Sequence, residues 1–188
     1  MSTENQQVNS QRLFFALWPD DMTRTRIAGF VPNITRREGR RVPPENLHAT
    51  LVFLGSTSAF QRTCVESAAE SIRSSPFRLR LDSCGFWPKP RVAWLGARAT
   101  PTALVELHAS LTGGVRACGM QIDSRPFAVH ITLVRDAARP VLMEPLVPID
   151  WDVGAFALVE SHTHSAGVRY TVLRTWSLFG QPHNTRLD

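Results

Sequence analysis

The chain has 188 residues and 21.0 kDa, 43% of them hydrophobic and 20% charged, which suits one domain with a real core and excludes a disordered segment or a fusion of two enzymes. Lysine and arginine number 21 against 16 acidic residues, for a formal charge of +5 and a pI near 10.0, and Lys89 is the single lysine. Almost all of the positive charge is therefore arginine, whose planar fork suits phosphate, and an anionic partner fits, although net charge alone speaks only to steering and solubility.

Residues 1–11, rich in Gln, Asn and Ser, read as a tail. RLFFALW at 12–18 is a dense apolar run closed by Pro19-Asp20 and predicts a strand leading into a helix N-terminus. A short helix over about 20–30 would place Met22, Ile27 and Phe30 on one side, before an arginine-heavy loop through RRVPPEN. LHATLVFLG at 47–55 predicts a second strand, and Phe60, Cys64, Ala68 and Ile72 recur at near four-residue spacing along a helix over about 59–74.

The alternation of Phe77, Leu79 and Leu81 with Arg78, Arg80 and Asp82 predicts a half-buried antiparallel strand, joined through Pro88-Lys89-Pro90 to RVAWLGA as a hairpin. A helix over about 101–118 carries Leu104, Leu107, His108 and Leu111 on one face, with Pro101 in its first turn. Strands follow at 127–136, 151–161 and 168–179, the first two separated by a proline-rich loop, and 181–188 reads as a second tail. Strands arriving in hairpins with few helices between them predict α+β rather than a doubly wound parallel sheet. The three cysteines, Cys64, Cys84 and Cys118, are scattered, with no C-x-x-C pair, and suggest small buried thiols in a reducing compartment. No run approaches the roughly 18 apolar residues of a membrane span, and the N-terminus has no secretory pattern, so a cytoplasmic protein with no membrane contact is expected.

One pattern occurs twice. LHATLV at 47–52 and VHITLV at 129–134 share apolar-His-x-Thr-Leu-Val, each inside a predicted strand. Chance yields roughly half of one His-x-Thr in a chain of this composition, and a third copy does stand at His183-Asn184-Thr185, but His-x-Thr-Leu is expected only about 0.05 times. Side chains alternate along a strand, so His48 and Thr50 share a face, as do His130 and Thr132, each pair roughly 7 Å apart. Two such strands brought together would surround one small group with two imidazoles and two hydroxyls. In-line cleavage of a phosphodiester needs that set: a base for the attacking nucleophile, an acid for the leaving oxygen, and donors for the non-bridging oxygens. Imidazole does either proton transfer near neutral pH, and this logic needs no metal or other cofactor.

These motifs, with RLFFAL at 12–17, PENLHATLVFLG at 44–55, RVAWLG at 91–96, RPFAVHITLVRD at 125–136 and RYTVLRTWSL at 169–178, resemble the two-histidine (2H) phosphoesterases of the LigT type, the family of bacterial RNA 2′,3′-cyclic phosphodiesterases, historically called 2′-5′ RNA ligases. The likeness spans nearly all of 12–178 and departs at Val129, where the family commonly has proline. It implies a bilobal α+β domain over 12–180, two antiparallel sheets related by a pseudo-twofold axis around a cleft, with helices outside. It further implies that His48 donates a proton to the leaving ribose oxygen, that His130 accepts one from water, and that Thr50, Thr132 and Arg135 hold the phosphate. The implied reaction opens an RNA 2′,3′-cyclic phosphate to a 2′-phosphomonoester, with reversible 2′-5′ ligation in some members, the partner being an RNA end or a nucleoside 2′,3′-cyclic phosphate; separately, a monomer is expected. Terminal nucleosides stack on aromatic or guanidinium planes, for which Phe15, Phe127 and Arg135 are candidates. Two rivals stand beside this reading: a metal-dependent hydrolase using His162 and His164, which alternate onto one strand face, and a non-catalytic module that binds RNA ends.

Overall fold

The computed structural model describes residues 10–31, 38–138, 147–164 and 167–179. The two tails fall outside these residues apart from Ser10 and Gln11, as does most of the proline-rich loop. In chain order the elements are β1 (Gln11–Leu17), α1 (Asp21–Phe30), β2 (Arg40–Arg41), a single 3-10 turn at Pro44–Asn46, β3 (Ala49–Thr57), α2 (Ala59–Glu70), β4 (Phe77–Leu81), β5 (Ser83–Trp87), β6 (Val92–Gly96), α3 (Thr102–Ala117), β7 (His130–Arg135), β8 (Ile149–Val153), β9 (Ala155–His164) and β10 (Gly167–Ser177). Every described pairing is antiparallel, and the α+β class holds.

The large sheet runs β10-β9-β1-β3-β7-β6-β5. It consists of two arrays, β10-β9-β1-β3 and β7-β6-β5, that meet at one residue pair, Ala49 with Ile131. A two-residue strand, β2, pairs with β7 beyond that junction. Gly39 makes this approach possible: with φ of 152° and a hypothetical Cβ 2.7 Å from Val134 Cγ1, a side chain there would push Arg40 and Arg41 off the strand.

β4 and β8 form a separate two-stranded sheet. The alternation of 77–82 is real, with Leu79 and Leu81 buried and Arg78 and Arg80 facing Asp152 and Asp150 across the ladder. The run ends at Asp82, however, and the hairpin through Pro88–Pro90 joins β5 to β6. The strand expected over 151–161 is likewise two, broken at Gly154.

β1 is buried on both faces. Leu13, Phe15 and Leu17 join the main core with Ile27 of α1, Val65 of α2 and Leu107 of α3, while Phe14 and Ala16 pack on Ala157 and Val159 on the other side. Asp20 caps α1, accepting from the Thr23 amide at 2.8 Å and the Thr23 hydroxyl at 2.9 Å. Ser58 and Gln61 form a reciprocal capping box on α2.

The helix faces differ from the sequence expectation in two places. Met22 is 75% exposed, and α1 buries Thr23 and Ile27 instead. Phe60 is 83% exposed, and α2 turns Val65 and Ala69 inward, one position on from the expected stripe. Cys64 is not a free thiol: it bonds Cys118 at the end of α3, tying the two helices, and only Cys84 among the three remains free. On α3 the expected face holds, with Leu104, Leu107 and Leu111 buried.

Candidate active site

The Ala49–Ile131 pair fixes the arrangement of the two repeated motifs. In antiparallel register it sets Thr50 beside His130 and His48 beside Thr132. Ala49 and Ile131, both fully buried, point into the core, so the four polar side chains point to the opposite face. All four line one cleft of about 540 Å³, together with Arg135. A local twofold relation between two strands thus builds the four-cornered site that the repeat suggested.

Each imidazole is held in the same way. His48 Nδ1 lies 2.6 Å from the Asn46 carbonyl, and His130 Nδ1 lies 2.8 Å from the Ala128 carbonyl. A carbonyl oxygen only accepts, so in both rings Nδ1 carries the hydrogen and Nε2 is left for exchange of a proton. His48 Nε2 is 3.1 Å from Thr50 Oγ1, which donates to it when the ring is neutral.

The surroundings of the two rings differ. Trp18 stacks on His48 at 5.6 Å, while Phe14 and Tyr170 each approach to 4.9 Å. Among the described residues His130 has one such neighbour, Trp87, edge-on at 4.6 Å. Burial therefore pushes His48 down to about 4, against the opposing bond to Asn46 and with added repulsion from Arg135 and His130. Burial also lowers His130, opposed by its bond to Ala128 and helped by Arg135 and Arg125.

Asn46 ties the first motif to β10. Its Nδ2 donates to the Val168 carbonyl at 2.8 Å and its Oδ1 accepts from the Tyr170 amide at 3.3 Å, while its backbone carbonyl accepts the hydrogen bond from His48 Nδ1. One buried residue thereby holds His48 through its backbone and a wall of the aromatic cage through its side chain.

The remaining expected residues divide. Phe127 is half-buried, stacks on His108 at 4.1 Å and lines the cleft. Phe15 does not reach it: it is 1% exposed and packs on Phe156 and Trp176 in the core. Its neighbour Phe14 is the one beside His48, because alternation along β1 sends 13, 15 and 17 to the core. His162 and His164 sit near the end of β9, their rings 6.2 Å apart and His162 3.4 Å from Glu160. No group of three His, Cys, Asp or Glu that would hold a metal ion occurs among the described residues. Sequence reading missed Trp18, Tyr170 and Asn46; the Phe14 position was available from the alternation of β1, whereas Asn46 and Tyr170 meet only through long-range pairing.

Comparisons with known proteins identify the family. A family model described as the 2′-5′ RNA ligase superfamily matches residues 16–165. The chain is 37% identical over 171 residues to the RNA 2′,3′-cyclic phosphodiesterase of Escherichia coli K12, covering 89% of this chain and 97% of that one. Against the Thermus thermophilus protein of the same name it is 32% identical over 183 residues, covering 90% and 91%. Among solved structures, E. coli LigT complexed with 3′-AMP superposes with a TM-score of 0.82 at 36% identity, over 92% of this chain and all of that one.

Proposed function

The chain belongs to the 2′-5′ RNA ligase superfamily, and from that premise we propose that it opens RNA 2′,3′-cyclic phosphates with water, leaving a 2′-phosphomonoester, with His48 as proton donor and His130 as proton acceptor. The observation that carries the reading is the junction at Ala49 and Ile131, which gathers two carbonyl-anchored imidazoles and two threonine hydroxyls on one face of one cleft.

The steps follow from that set. His130 Nε2, unprotonated, takes a proton from water as its oxygen bonds to phosphorus. The bond from phosphorus to O3′ breaks on the opposite side, and O3′ receives the proton that His48 Nε2 carries. Thr50, Thr132 and Arg135 donate to the non-bridging oxygens, where charge builds in the transition state. A 5′-hydroxyl in place of water gives a 2′-5′ linkage by the same two proton transfers. Trp87 and Phe127 offer surfaces for the base of the reacting nucleoside.

Burial holds His48 neutral at pH 7 in the protein alone, and a proton donor must be charged. The anionic phosphate resolves this: a negative charge against Nε2 stabilises imidazolium, so the acid acquires its proton as substrate binds.

The test is turnover of a nucleoside 2′,3′-cyclic phosphate in the presence of EDTA, with the product identified by phosphorus NMR. The expected result is a 2′-phosphate, with turnover falling by at least about 100-fold in each of His48→Ala and His130→Ala. Loss with chelator alone would point to a metal, and binding without turnover to a non-catalytic module.

A further inference from the structure

We infer that a second, arginine-lined arm of the cleft binds the phosphodiester backbone on the 5′ side of the reacting nucleotide, making single-stranded RNA of two or more nucleotides a better substrate than a mononucleotide. The inference rests on the reading that the cleft takes an RNA end. A cavity of about 510 Å³ lies between the 40–46 segment and the start of β10, and Arg135 lines both it and the cleft. Arg40, Arg41 and Arg169 line it too, from strands β2 and β10, and among the described residues one carboxylate, Glu45, shares the lining.

Two of these arginines, Arg135 and Arg169, stand, among the described residues, without the carboxylate partners found elsewhere on the sheets. Arg78, Arg80 and Arg174 each face a carboxylate, Asp152, Asp150 and Glu70 respectively. Arg40 is engaged by Asp136 at 2.6 Å. Arg135 and Arg169, both exposed, form no ion pair among the described residues, and their guanidinium groups present forks suited to phosphate oxygens.

Substrate chemistry assigns the direction. A nucleotide whose 2′ and 3′ oxygens are closed into the cyclic phosphate continues into a chain only through its 5′ oxygen, so the next group along is a phosphodiester. The far end of the cleft carries Trp87, Ile122 and Phe127, and of its two cations, Lys89 and Arg125, the arginine is already bonded to Asp123 at 2.8 Å. Aromatic surfaces take bases and arginine takes backbone phosphate. The apolar faces of Val168 and Tyr170 in the arginine arm leave room for a ribose between the charges.

The experiment compares kcat/KM for a nucleoside 2′,3′-cyclic phosphate and for a tetranucleotide ending in the same group, in the wild type, Arg169→Gln and, as a charge control, Arg78→Gln. Arg169→Gln is expected to lower the tetranucleotide value about tenfold and the mononucleotide value less than twofold. It should also flatten the dependence of log KM on log salt for the tetranucleotide by about 0.7. Equal losses on both substrates, no loss on either, or the same loss in Arg78→Gln would overturn the inference. If the wild type turns over neither substrate, the catalytic reading has failed, and the arm is judged by fluorescence anisotropy of a labelled tetranucleotide ending in a 2′-phosphate. Binding about tenfold weaker in Arg169→Gln than in wild type then supports it, and equal affinity overturns it.

Discussion

Binding of a cyclic phosphate should charge His48, and the size of the effect follows from the site. In the protein alone the ring sits at about 4, lowered chiefly by burial among Phe14, Trp18 and Tyr170. A unit negative charge about 4 Å from Nε2, acting through an effective dielectric near 20, is worth roughly 4 kcal/mol, or about three pKa units. That moves the imidazole from about 4 to near 7, where an acid is useful at neutral pH. Between these values binding takes up a proton, so affinity should rise as pH falls from 7 toward 4. The His130→Ala variant isolates the effect, because it removes the other titrating ring and stalls turnover. Calorimetric titration with a nucleoside 2′,3′-cyclic phosphate, repeated in two buffers of different ionisation enthalpy, reads the uptake directly, and the diester stays a monoanion throughout. Close to one proton per site is expected at pH 5.5. Uptake below about 0.2 would mean that His48 stays neutral in the complex and would refute its role as proton donor.

The free-enzyme profile should differ from this. Because both imidazoles are lowered in the protein alone, kcat/KM is expected to follow a bell whose two apparent pKa values lie below 6.5 and to decline through pH 8, whereas a flat rate from pH 5 to 9 would exclude an imidazole pair. Stability should carry the same signature. A folded pKa of about 4 against 6.5 unfolded means the unfolded chain binds the extra proton, so this contribution is complete above pH 6.5 and lost as pH falls toward 4, by at most about 3 kcal/mol; urea midpoints at pH 7 and 4.5 that drop as far in His48→Ala as in wild type would contradict it. Asn46→Ala removes two buried hydrogen bonds and should cost about 1–3 kcal/mol in stability while lowering kcat much more than it raises KM, with Asn46→Asp, which retains the acceptor for the Tyr170 amide, intermediate; a pure KM effect would show that Asn46 does not position His48. Thiol titration of the native protein should find Cys84 alone, and reduction should lower stability by about 4 kcal/mol for a loop of this length, sequence separation 54, without loss of activity under conditions where the protein stays folded; three reactive thiols before reduction would contradict the bridge.

What was legible in the sequence is what short-range periodicity encodes. The strands at the two motifs are legible because one pattern, repeated, announces both the site and its twofold relation. The inward stripe of α3 was legible because leucines at 104, 107 and 111 leave no competing face. On α2 the inward stripe lies one position on from Cys64 and Ala68: Phe60 has the composition of a core residue, but Val65 and Ala69 are the ones buried. The Phe14-Phe15 doublet could not be split by composition, since both residues are buried, one in the core and the other against the imidazole. Asn46 was invisible for a different reason. Its partners, Val168 and Tyr170, lie more than a hundred residues away, on a strand whose pairing no local pattern predicts.

The repeat also explains less than it first suggests, and the difference is instructive about how one motif comes to do two jobs. Symmetry at the junction gives both rings the same carbonyl anchor and the same exposed Nε2, and nothing in that arrangement distinguishes an acid from a base. The distinction enters with the strands beyond it. On one side β1 and β10 bring Phe14 and Tyr170, and Trp18 closes over His48; on the other, β5 brings only Trp87 to His130. Desolvation is therefore greater at His48, and there a phosphate's charge is screened least and alters protonation most. His130, less enclosed, is the more accessible to water, as the proposed base must be. A duplicated strand supplies two equivalent histidines, and unequal aromatic packing around them suits each to the role proposed for it.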